Sequence, residues 1–138
     1  MRNIKPQRLL VAMVIVLVSQ LTAAQTAIDP CENITHSLPV LACAKSGWKT
    51  ARGQMEESLD LLRERINKTY AADPDLGAQL LEDVEHAQRY WAESVKADCD
   101  LEAFEIEKGT QAYRAAFFSC STRRYEQRVS YLNNLLAL

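Results

Sequence analysis

Apolar residues recur every three or four positions along most of the chain after Cys43, the period of an amphipathic helix. Ala51, Met55, Leu59, Leu62, Ile66 and Tyr70 fall on one face, and Arg52, Glu56, Glu57, Asp60 and Glu64 occupy the others. The stretch Ala71-Ala72-Asp73-Pro74-Asp75 breaks this pattern and restarts it, because Asp73 is a suitable N-cap and Pro74 suits the first helical position. A second run passes through Leu80, Val84, Ala87, Trp91, Val95 and Asp98, and its period extends past Leu101 and Phe104 to about Glu107. Gly109-Thr110 ends it. Tyr113 to Asn133 makes a third run, with Phe117, Tyr125, Val129 and Leu132 available for packing. Upstream, the segment 29–47 carries Pro30 and Pro39 and is expected to form only one or two short helical turns. Gly47 then serves as a helix stop, and Trp48 beyond it is either a core plug or an exposed anchor. No alternating β-branched run suggests a strand. The expected fold class is all-α, a small antiparallel helical bundle.

The N-terminus has a different pattern. Arg2, Lys5 and Arg8 precede ten uninterrupted apolar residues from Leu9 to Val18, and Thr22 and Ala24 supply small residues for a peptidase. This is the three-part signature of a secretory signal, with cleavage expected after Ala24, so that residues 1–24 form a signal peptide and 25–138 a single domain. The alternative is an uncleaved anchor, but ten apolar residues fall short of the roughly 20 a spanning helix needs. Export as a periplasmic or secreted protein follows from that reading.

Export changes how the four cysteines are read. Cys31, Cys43, Cys99 and Cys120 all follow the cleavage point, and an even count in an exported chain points to two disulfides. Their spacings match no zinc module. Three connectivities are open to four cysteines. Cys99 and Cys120 lie nearly symmetrically about Gly109-Thr110, so two helical arms of about ten residues, each about 15 Å long at ~1.5 Å per residue, would bring them level. That favours Cys99–Cys120 and leaves Cys31–Cys43 to close the N-terminal segment.

Charge narrows the function classes. Removal of residues 1–24 takes three basic side chains and no acid, leaving 13 basic and 18 acidic, a net of −5. Such a chain is a poor candidate for nucleic-acid binding. Residues 82–107 carry nine acids against Arg89 and Lys96, while 108–138 carry five basic residues against Glu126. Two neighbouring helices could complement one another this way, or the acidic run could present a face to a basic partner. Asp83-Val84-Glu85-His86, with Glu82 one turn before His86, faintly resembles half of a helical carboxylate–histidine metal motif, but no second half exists. No nucleophile elbow, P-loop or glycine-rich nucleotide turn occurs. The expectation is a protein without catalytic residues, metal or cofactor.

At Ala87-Gln88-Arg89-Tyr90-Trp91, followed by Cys99, the chain resembles the LprI-type lysozyme inhibitors, small secreted bacterial helical domains. Gly109, Cys120, Arg128 and Leu132 continue the pattern, as do Cys31, Cys43-Ala44, Trp48 and Ala51 before it. Gln88, Trp91, Arg128 and Leu132 stand as the structural motif of the resemblance. The chain departs from the family at Ala51-Arg52, Met55-Glu56, Leu59 and Val95-Lys96, and the usual Gly-Gly-Ser turn is reduced to Lys108-Gly109-Thr110. The resemblance implies an envelope protein that binds and blocks a lysozyme-like glycosidase; the alternative is a structural or assembly protein of the envelope. For the first, Lys108, Gly109 and Thr110, at the tip of a stapled hairpin, are the expected partner-binding residues.

Overall fold

The computed structural model describes residues 31, 32, 34 and 37–136. The expected signal peptide lies outside them. Three helices follow in order: α1 Ser37–Thr69, α2 Pro74–Glu102 and α3 Gln111–Asn134. Trp48 meets Phe118 near the starts of α1 and α3, and Arg65 meets the Leu132 carbonyl near their ends, so α1 and α3 run in the same direction and α2 runs against both.

The α1 boundary differs from the sequence expectation. Instead of one or two turns across 29–47, the helix starts at Ser37 and continues without interruption through Gly47 and Trp48. Pro39 falls in its first turn, where backbone N–H groups have no intrahelical partner to lose. A Gly inside a helix costs about 1 kcal/mol. Packing overrides that preference here, since α3 lies chiefly along α1 and Thr122 sits opposite Gly47.

The α1–α2 corner is built as its residues suggest. Asp73 caps α2 by accepting from the Leu76 N–H at 3.2 Å, and Pro74 opens the helix. Gly77 allows close approach, because a Cβ there would stand 3.0 Å from the Cβ of Tyr70. At its other end α2 stops at Glu102, a turn and more before the expected Glu107. Glu102, Glu105 and Glu107 put negative charge where a helix terminus is already negative, and no basic residue occupies the last turn. Leu101 and Phe104, expected to extend the packed stripe, are exposed instead.

The core has two parts. Met55, Leu59, Leu62 and Ile66 from α1 meet Val84 and Leu132; Val95 packs with Cys99 and Cys120. Trp91 and Tyr125 touch both parts and join them. Disulfides pair Cys31 with Cys43, Cα–Cα 4.8 Å, and Cys99 with Cys120, Cα–Cα 5.6 Å. The second pair does not arise from symmetric arms. Cys99 is three residues from the end of α2 while Cys120 is the tenth residue of α3, and residues 103–110 span the difference.

Candidate functional site

Three residues of the sequence motif converge between α2 and α3. Gln88 and Trp91, three apart on α2, share a face one helical turn deep, and Arg128 on α3 reaches both. The Arg128 Nε donates to Gln88 Oε1 at 3.0 Å, and Gln88 Nε2 donates in turn to Met55 Sδ at 3.1 Å. The guanidinium carbon sits 5.2 Å from the Trp91 ring centre and 4.8 Å from that of Tyr131, so two aromatic faces hold the cation. Tyr125 meets Trp91 in a T-shaped arrangement, ring centres 5.0 Å apart. Burial pushes the Arg128 pKa below its usual value, and Tyr131 opposes that shift. Leu132, the fourth motif residue, is fully buried one turn farther along α3. A groove of about 230 Å³ opens beside Arg128, walled by Leu80, Val84, Leu132 and Leu135, with Asp83 also lining it.

The expected partner-binding turn follows the C-terminal end of α2. Gly109 adopts φ +86°, a left-handed conformation that favours glycine. The Thr110 hydroxyl caps α3: Oγ1 accepts from the Tyr113 N–H at 3.1 Å and donates to the Glu107 carbonyl at 2.8 Å. It is thereby committed within the turn. Lys108 is exposed. The end of α2 and the turn also present two groups that the helical period had assigned to packing, Leu101 at 72 % and Phe104 at 80 % exposure. Their mutual position depends on where α2 ends, which periodicity does not mark.

Behind this turn, Asp100 accepts from Lys96 Nζ at 2.7 Å and from the Tyr113 hydroxyl. These two hydrogen bonds, Lys96 first, hold the Asp100 pKa below its ordinary 3.8, with the charges of Lys96 and Lys108 adding to them. The same bond raises the pKa of Tyr113. A cavity of about 300 Å³ is lined here by Lys96, Asp100, Tyr113, Arg114, Phe117 and Phe118. Charge complementarity between α2 and α3 is realised in part: Arg123 pairs with Glu102, and Arg124 reaches Asp98 and Glu102 at 3.6 Å. Glu82 and His86 stand 3.7 Å apart on an exposed face, and no group of three His, Cys, Asp or Glu side chains comes together among the described residues.

A family model described as "Lysozyme inhibitor LprI" matches residues 31–132, spanning both disulfides and the Gln88–Trp91–Arg128 cluster. The chain belongs to the LprI family. The crystal structure of a DUF1311 family protein from Pseudomonas putida KT2440 is similar, with a TM-score of 0.66 and 28 % identity over 75 % of this chain and 96 % of that one. A comparison with curated proteins returns no match. In this LprI-family chain Gln88, Trp91 and Arg128 join α2 to α3 beside the Cys99–Cys120 bridge. The turn of residues 103–110 presents Phe104 and Lys108 to solvent.

Proposed function

We propose that this protein is an exported inhibitor that binds and blocks a lysozyme-like glycosidase through the turn between α2 and α3. One observation carries the siting: residues 103–110 project Phe104 and Lys108 into solvent from a base anchored by the Cys99–Cys120 bridge. A glycosidase works with a pair of carboxylates flanking a cleft. Lys108 offers an ammonium to those carboxylates, and Phe104 offers a ring to the walls of the cleft. Gly109 and Thr110 act by holding the turn, the first through its left-handed backbone and the second through its cap. Anchoring matters because a turn ordered in advance loses less entropy on binding. Family membership supports the choice of target class, and the sequence signal at residues 1–24 supports export to the compartment where such enzymes act.

The test is a panel of lysozymes assayed with the oxidised protein at low salt. Inhibition of at least one enzyme is expected, and Phe104→Ser and Lys108→Glu are each expected to weaken it about tenfold or more without lowering the melting temperature. If all the enzymes stay fully active under micromolar excess, the inhibitor reading fails. The exposed pair Leu101 and Phe104 would then favour an assembly role, which sedimentation of the protein alone would reveal as self-association.

A further inference from the structure

Among the described residues Arg128 is a partly buried arginine with no acid to balance it, whereas Arg89 and Arg114, also without one, are exposed. Arg52, Arg63, Arg123 and Arg124 each meet a carboxylate, and Arg65 donates to the carbonyls of Leu132 and Leu135. Among the described residues no carboxylate lies within ion-pair distance of Arg128, although Asp83 lines the same groove. Among the described residues its one hydrogen bond uses Nε, which leaves the two terminal nitrogens to present a fork. The half-buried guanidinium has lost hydration that one bond to Gln88 and two ring faces replace only in part, and burial lowers its pKa. Gln88, Trp91 and Tyr131 nevertheless hold it in one orientation. A cation fixed by three side chains, left without a carboxylate and set beside an apolar groove is arranged as a receptor for an anion.

We infer that the groove between α2 and α3 binds a small aliphatic monocarboxylate, its carboxylate on the Arg128 fork and its body against Leu80, Val84, Leu132 and Leu135. The fork fits a planar carboxylate through two parallel N–H···O bonds. The apolar walls fit hydrocarbon. About 230 Å³ is below the roughly 300–1,000 Å³ typical of sites for drug-sized ligands, so the fitting body is a short chain. Asp83 on the lining repels a second negative charge and selects against dicarboxylates.

Sodium hexanoate is the probe, titrated into the oxidised full chain while the Arg128 Nε–H and Trp91 indole N–H resonances are followed by NMR. Saturable shifts are expected with hexanoate and much weaker ones with 1-hexanol, which lacks the charge, or adipate, which carries two. Arg128→Gln should weaken binding about tenfold or more, the loss expected for a charge-assisted hydrogen bond, read at the Trp91 indole. Ala87→Trp gives an independent check, since Ala87 is an exposed groove residue whose enlargement fills the groove and leaves Arg128 in place. It should abolish the shifts in a protein with unchanged helicity. No saturable shift with hexanoate, equal shifts with 1-hexanol or adipate, or binding that survives Ala87→Trp would each overturn the assignment.

Discussion

At Trp91 the indole touches both parts of the core, carries Arg128 over its face and meets Tyr125 in a T-shaped contact. Truncation there removes contacts from both halves at once, so Trp91→Ala is expected to cost about 3 kcal/mol, the lower end for large aromatic deletions because the ring is only partly buried. A denaturant melt measures it, and a variant of unchanged stability would contradict the packing role. Gly109 holds a left-handed backbone, and Gly109→Ala should destabilise by about 1 kcal/mol through strain alone, seen as a lowered melting temperature. Asp100 sets a pH dependence. Its folded pKa is depressed below 3.8 by Lys96 and Tyr113, so its contribution is fully present above the unfolded value and is lost as pH falls through the folded one. Asp100→Asn should flatten the acid limb of stability against pH below about 4 and leave neutral pH less affected. An unchanged acid limb would show that Asp100 carries no linkage. These residues differ in how far sequence reveals them. The place of Trp91 on an apolar stripe is visible from its neighbours three and four positions away, whereas its pairing with Arg128 joins residues on different helices and leaves no local mark.

Among the elements, the stripe from Ala51 to Ile66, the Asp73 cap with Pro74, and the third helix were all legible because each rests on local signals: period, capping chemistry and proline geometry. The ends were harder. Pro39 and Gly47 read as breakers only while their depth in the helix is unknown; in the first turn the proline loses nothing, and packing of α3 along α1 offsets the cost of the glycine. At the far end of α2 the apolar period through Leu101 and Phe104 competes with an accumulation of acids at a negative helix terminus, and the electrostatics prevail. That outcome gives the turn its exposed ring. The Cys99–Cys120 bridge then acts on two elements together, closing a loop with a sequence separation of 21 residues. The chain-entropy account gives about 3 kcal/mol for a loop of this order. The double substitution Cys99→Ser, Cys120→Ser should lower stability by roughly that amount. It should also raise hydrogen exchange at residues 103–110 more than in α1, and equal exchange in both regions would deny the bridge a role in ordering the turn.

On the scale of the molecule, charge is distributed so that the proposed binding through the turn would carry a distinct dependence on salt. Part of the acidity of α2 is neutralised within the fold, since Glu85 pairs with Arg63, and Asp98 and Glu102 with arginines of α3. Glu93, Glu105 and Glu107 have no such pairing among the described residues, are exposed, and lie on the half of the molecule that bears the turn. A basic glycosidase approaching that end meets a negative field at long range and the Lys108 ammonium only at contact. These two effects respond differently to ionic strength. Long-range attraction between exposed charges is screened beyond about 8 Å at physiological salt, so steering acts mainly on the association rate. A contact inside a closed cleft is screened much less and acts on dissociation. Stopped-flow binding to an inhibited lysozyme should therefore show an association rate that falls steeply with added salt while the dissociation rate changes little. Replacing Glu93, Glu105 and Glu107 by Gln should flatten the salt dependence of association, and Lys108→Glu should instead speed dissociation. If the triple variant keeps the full salt slope, the acidic face has no part in approach, and the charge asymmetry of α2 serves only the pairing of helices within the bundle.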